Sequence, residues 1–194
     1  ELASQDVATR TLWLGGDSAG GGLTMATLLV LRDEGAEMPA GAVLLSPWVD
    51  LTEAAMDPVP DNEHDYLFSG ILERFSGDYT TQENRQDPRV SPVLGNLHGL
   101  PPLLIQAGEV EIFLPQVRRL AERARDAGVD VVLEVGEGMV HVFQAFAWFL
   151  PEARQAIHSL GLLVRARLSE EDGVVQIEAG ESEPGVVKVV KVDG

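Results

Sequence analysis

The chain reads as an α/β protein with a mostly parallel sheet and flanking helices, and three observations lead there. Short apolar runs that look like buried strands alternate with longer stretches of helical periodicity. The first of these runs passes through a tight glycine turn directly into a helix, the opening of a strand–helix–strand unit. The composition, 45% hydrophobic and 23% charged over 194 residues, suits one domain able to bury a core.

Residues 11–16, "TLWLGG", form an apolar run cut off by glycine and predict a buried strand. The segment "AGGGLTMATLLVLRDEG" lacks proline, is dense in Leu, Met and Ala, and stops at Gly35, which predicts a helix with a glycine end. "AGAVLLSPW" from Ala40 is the next strand, so the helix is a crossover. From Leu51 to Pro92 the pattern breaks into prolines, acids and scattered aromatics, an excursion with one helix expected at 69–79. "PPLLIQAG" at 101–108 resumes the strand pattern. "PQVRRLAERARDAG" from Pro115 is an amphipathic helix with Leu120 and Ala124 on one side, and "VDVVLEV" at 129–135 is another strand. A last helix runs from Pro151 to about Leu168, carrying Ala153, Ile157, Leu160 and Val164 at helical spacing. A domain boundary is expected near 168. Residues 169–194 then form an acidic, valine-containing tail, either flexible or a small hairpin around Glu181 to Gly185.

A net charge of −17, from 31 acidic and 14 basic residues, repels nucleic acid and anionic membranes, and favours a small neutral or cationic partner. Without cysteine there are no disulfides or thiolate metal sites. No apolar run approaches the roughly 18 residues of a membrane span, and no leader-like pattern opens the chain. A cytoplasmic protein is the expectation.

The chemistry centres on "GGDSAGGGL", residues 15–23. A Gly-x-Ser-x-Gly pentapeptide is weak alone, but here it lies between a predicted strand and a predicted helix. A sharp turn there lifts the Ser18 hydroxyl clear of the sheet. Gly16 and Gly20 are expected to be small because the strained turn brings backbone close to its neighbours. The start of the helix aims amides, notably that of Ala19, at a developing oxyanion. The competing reading, a phosphate loop, requires a lysine after the glycines, and none follows.

A serine nucleophile needs a base, normally a histidine oriented by a carboxylate. Of the four histidines, His64 in "DNEHD" reads as solvated loop despite its metal-friendly acids. His98 in "NLHGLPP" reads as turn, and His158 sits on the last helix as a surface residue. His141, in "GEGMVHVFQ" just after a predicted strand, stands where a parallel sheet displays its ligands. The acid is expected in the loop after the preceding strand, where "QAGEVEIFL" offers Glu109 and Glu111. Spacing alone leaves both open.

With these pieces together, the sequence resembles the hormone-sensitive-lipase-like family of α/β-hydrolase esterases. "GDSAGGGL", "LLSPWVDLT", "DPRVSPVLGNLHGLPPLLIQAG" and "GMVHVFQAF" look like that family's blocks in order, over about residues 10–160. The resemblance implies Ser18 as nucleophile, His141 as base and Glu111 as acid, with Ala19 in the oxyanion hole. It further implies hydrolysis of short or medium acyl esters through an acyl-enzyme, without cofactor or metal. It makes residues 51–79 part of a lid and acyl pocket, with Trp48 and Phe143 as candidate wall residues whose default role is core. Two departures stand out. No His-Gly-Gly oxyanion block occurs in the chain, and Pro115 stands where relatives with a glutamate acid usually carry an acid. Opening on Glu1 and lacking that block, the chain is expected to be a C-terminal portion of the fold without its N-terminal strands. The rival readings are a binding module or catalytically impaired fragment that retains the fold, and a lactone or amide deacylase. A homodimer through the edge of the last strand is an expectation by analogy.

Overall fold

The computed structural model describes residues 11–52 and 64–170, together with strand segments 175–179 and 187–191. Two compact units make up the chain, Glu1–Phe143 and Gln144–Gly194.

The first unit is built on four strands, β1 (Trp13–Asp17), β2 (Gly41–Leu45), β3 (Leu103–Gly108) and β4 (Val131–Gly136), all parallel and in the order of the chain. Parallel neighbours need a long connection. Helix α1 (Ala19–Asp33) provides it between β1 and β2, and helix α3 (Leu114–Asp126) between β3 and β4. Between β2 and β3 lies the excursion, with helix α2 at Ser69–Tyr79. Residues 53–63 of the expected lid lie outside the described residues.

All six residues of β3 are buried, as befits a strand flanked on both edges. One apolar cluster joins Ala42, Leu44, Leu103, Ile105 and Ala107 of the sheet to Met25, Leu28 and Leu29 of α1 and Val117, Leu120, Ala121 and Ala124 of α3. The strand positions are two apart and the helix positions three or four apart, so each element lays one face on the same core. Both crossover helices close in Schellman motifs. Gly35 N–H bonds Arg32 O (3.0 Å) and Ala36 N–H bonds Leu31 O (2.9 Å), while Gly128 and Val129 repeat the pattern on Arg125 and Ala124. Pro115 occupies the first turn of α3, where a helix has no need of its N–H, so the departure from the expected acid leaves the helix start intact.

The second unit holds helix α4 (Pro151–Glu170) and an antiparallel pair, β5 (Val175–Ala179) with β6 (Val187–Lys191). The expected boundary at 168 falls inside α4, whose helical pattern runs through it. The turn expected around Glu181 to Gly185 lies outside the described residues. Along α4 the buried positions are Ala153, Leu160, Leu163 and Ala166. Ile157, expected among them, is 48% exposed, and the stripe shares Ala153 and Leu160 with the expected spacing but continues through Leu163 and Ala166 rather than Val164. No helix among the described residues is long and apolar enough to cross a membrane.

Close packing of β1 on α1 depends on one position. A Cβ on Gly16 would lie 2.3 Å from the backbone of Gly20, nearer than real contacts allow. Gly16→Ala should therefore destabilise the fold by about 1–3 kcal/mol. Gly77, exposed on α2 with nothing within 4 Å of its notional Cβ among the described residues, should gain about 1 kcal/mol of stability on substitution by alanine. Urea denaturation of the two variants checks both signs.

Candidate active site

The parallel register sets Asp17, Leu45, Gln106 and Glu134 level with one another across the sheet. The residues that follow therefore emerge along one carboxyl edge, the edge at which open α/β sheets bind ligands.

Ser18 is the first of them. It joins β1 to α1 with φ 51° and ψ −121°, a conformation most residues avoid. Hydrogen bonds hold it there from both sides. Its N–H donates to Leu45 O (2.9 Å), and its carbonyl accepts from Gly21 (3.0 Å), Gly22 (3.3 Å) and Trp48 (2.9 Å). Serine at a helix start ordinarily spends its hydroxyl on capping. Here the side chain makes no cap bond, and Oγ lies 2.9 Å from His141 Nε2. Ala19 is the first residue of α1 and exposed, and an amide at that position has no intrahelical acceptor. Gly20 differs from the expectation of tightness. A Cβ there would meet only Asp17 Oδ1, at 3.8 Å, among the described residues. Its backbone is what crowds Gly16, and its own side-chain position is open.

Glu111 sits in the loop after β3 and is 3% exposed. Its Oε2 accepts from Gly108 N–H (2.7 Å) and Ser46 Oγ–H (2.6 Å). Its Oε1 faces His141 Nδ1 at 3.9 Å, and among the described residues neither of these two buried atoms has a hydrogen-bond partner. A protonated imidazole and a carboxylate so placed attract strongly, and such contacts commonly tighten in the reacting complex. Glu109 stands apart. It is exposed, and its Oε2 accepts from Gly138 N–H (2.9 Å), bracing the turn after β4.

His141 lies in the loop after β4, 3% exposed. Phe113 packs edge-on to its ring with centroids 5.0 Å apart, and Phe113 in turn stacks on Trp48 at 5.4 Å. Val142 N–H donates to Ser46 Oγ (3.0 Å), so one buried hydroxyl ties the histidine loop to the acid. The Tyr66 phenol donates to His141 O (3.0 Å). Burial, then the charges of Asp65, Glu111 and Asp17, raise its pKa, which keeps the donor protonated. Among the described residues the non-glycine positions with positive φ are Ser18, Ser46 and Val142. All three belong to this cluster, so the backbone strain is concentrated where the side chains converge.

The other histidines lie elsewhere: His64 and His158 are exposed, and His98, also exposed, has its amide bonded to Asn96 Oδ1 in a turn. Trp48 and Phe143, considered as pocket walls, are 6% and 3% exposed, so they are core residues that back the site. Among the described residues no three His, Asp or Glu side chains are grouped to hold a metal ion. Sequence reasoning missed Ser46, Asp65 and Tyr66. Ser46 had a usable signal, since it directly follows a strand that ends beside β1. Asp65 and Tyr66 had none, because an acidic run in an irregular segment looks the same whether solvated or bonded.

Residues 1–145 match the family described as alpha/beta hydrolase fold. An acetyl-hydrolase of Streptomyces hygroscopicus is 40% identical over 170 residues, 87% of this chain and 57% of the relative. An esterase of Acinetobacter venetianus is 39% identical over 159 residues, 80% of this chain and 52% of the relative. The crystal structure of an esterase from the bacterial hormone-sensitive lipase family superposes with TM-score 0.81 at 39% identity, covering 86% of this chain and 57% of that one. The chain thus spans little more than half the length of these proteins.

Replacing Ser46 with alanine would deprive Glu111 of a buried donor and Val142 N–H of its acceptor. Ser46→Ala is expected to cost about 1–3 kcal/mol of stability, readable as a lowered urea midpoint at unchanged slope.

Proposed function

The chain belongs to the hormone-sensitive-lipase-like α/β hydrolases, and on that premise we propose that it carries the Ser18–His141–Glu111 triad of a carboxylic ester hydrolase acting on short to medium acyl chains. The observation that carries this reading is the 2.9 Å contact between His141 Nε2 and a Ser18 hydroxyl held out of its capping role at a positive-φ turn. The names of the relatives, an acetyl-hydrolase and an esterase, support the reaction class and the short acyl group.

In this mechanism Ser18 Oγ attacks the acyl carbonyl while His141 Nε2 takes its proton. The imidazolium so formed presents Nδ1–H to Glu111 Oε1, whose partner oxygen is already fixed by Gly108 and Ser46. Glu111 stays ionised throughout and stabilises the imidazolium. The carbonyl oxygen becomes an oxyanion and accepts the Ala19 N–H, aided by the positive end of α1. Collapse expels the alcohol with the proton from Nε2, leaving an ester on Ser18. Water then repeats the sequence from the other side, with His141 as base, and releases the acid. The net charge of −17 fits a small uncharged ester and argues against a polyanionic partner. A cytoplasmic location accompanies this reading.

Hydrolysis of p-nitrophenyl acetate and butyrate by the full-length protein tests the proposal. Ser18→Ala should lower kcat by about 10⁴-fold or more, and undiminished activity overturns the nucleophile. Glu111→Gln should cost about 10²- to 10⁴-fold, whereas Glu109→Gln should stay close to the parent rate. The opposite ranking moves the acid to Glu109.

A further inference from the structure

We propose that Asp65 is a positioning residue that sets the separation between the acid loop and the histidine loop, an inference that rests on the triad reading above. Asp65 comes from the excursion between β2 and β3, so no strand register delivers it. Yet its two carboxylate oxygens bond two different loops. Oδ2 accepts the N–H of Ile112 (2.9 Å), the neighbour of Glu111, and Oδ1 accepts the N–H of His141 itself (3.3 Å). The next residue, Tyr66, donates its phenol to the carbonyl of His141 (3.0 Å). Two consecutive residues therefore grip His141 at its N–H and at its C=O.

A carboxylate is rigid, so amides bonded one to each oxygen are held at a set spacing, and bonds to an ionised acceptor are about twice as strong as neutral ones. The loops have other ties. Val110 N–H bonds Met139 O (3.1 Å), Glu109 N–H bonds Gly136 O (2.8 Å), and a Cβ on Gly108 would lie 2.2 Å from Met139 O. These hold the stem of the histidine loop, whereas Asp65 holds the histidine's own backbone. The distance under control is the 3.9 Å between Glu111 Oε1 and His141 Nδ1, which a small approach converts into a hydrogen bond and a small retreat removes. Misplacement by about 1 Å can cost about 10²-fold in rate. Asp65 acts through the backbone of the catalytic loops and makes no contact with the reacting atoms.

The test compares wild type, Asp65→Asn and Asp65→Ala in the full-length protein, with Ser18→Ala as the blank. Active sites are counted by stoichiometric phosphorylation with diethyl p-nitrophenyl phosphate, so that loss of folded protein does not enter kcat. The expected result is a fall in kcat per titrated site of about 10- to 100-fold for alanine and a smaller fall for asparagine, with KM for p-nitrophenyl butyrate within about threefold. In parallel, the amide protons of Ile112 and His141 should both move upfield in NMR spectra of the variants. Unchanged kcat per site, or a rise in KM alone, overturns the proposal. So does either amide staying where it was. If wild type lacks Ser18-dependent turnover, the esterase reading fails by itself. Asp65 is then judged on the two amides, which move together if it ties the loops and do not if it does not.

Discussion

Everything at this site depends on the level register of four parallel strands. Because Asp17, Leu45, Gln106 and Glu134 align, the turn after β1, the serine after β2 and the loops after β3 and β4 open on one edge. A parallel sheet makes this inevitable, since every strand ends on the same side. Residues 123 positions apart, Ser18 and His141, meet there at 2.9 Å. A slip of one residue between neighbouring strands would reverse which side chains face the core. The packing of Ala42, Leu44, Leu103, Ile105 and Ala107 against α1 and α3 thus also holds the site in register.

The second constraint is the cost of a buried carboxylate. Glu111 is almost wholly removed from water, and an ionised group there is tolerated only with its oxygens bonded or paired. Two donors meet one oxygen and the imidazole faces the other. Ser46 is the hinge of this arrangement, since the hydroxyl that donates to Glu111 also accepts from Val142. Its own positive φ, and that of Val142, are conformations that would be costly in isolation. Hydrogen bonds help hold them, from Ser46 N–H to Gln106 O and from Val142 N–H to the Ser46 hydroxyl.

The strands and crossover helices were legible in the sequence because each depends on local features. Apolar runs of strand length, helical periodicity, a proline at a helix start and glycines at helix ends are all read within a few residues. Helix α2 at Ser69–Tyr79 coincides with the expected segment even within the irregular excursion. The strand–turn–helix setting of Ser18 was legible for a similar reason, as a pentapeptide between a strand and a helix. The phase of the buried stripe on α4 was not, because Ile157 and its neighbours are apolar on more than one side and packing chooses between them. Residue spacing alone left Glu109 and Glu111 open, since they have the same chemistry two residues apart, and the family resemblance favoured Glu111. Direction in space separates them: one braces a turn and the other points at His141.

By itself the sequence determined the class of fold, the order of its strands and helices, and the chemical types available at the strand ends. These follow from short-range propensity and hydrophobic period, which act within a turn of helix or a pair of strand residues. Only the tertiary structure decided that Ser46 joins Glu111 to the histidine loop, and that Asp65 and Tyr66 reach back from the excursion to hold His141. Those are contacts between residues 65 to 96 positions apart, and no local rule reports them. They arise from closing a long chain over a parallel sheet, where buried donors and acceptors must find partners and only some geometries supply them.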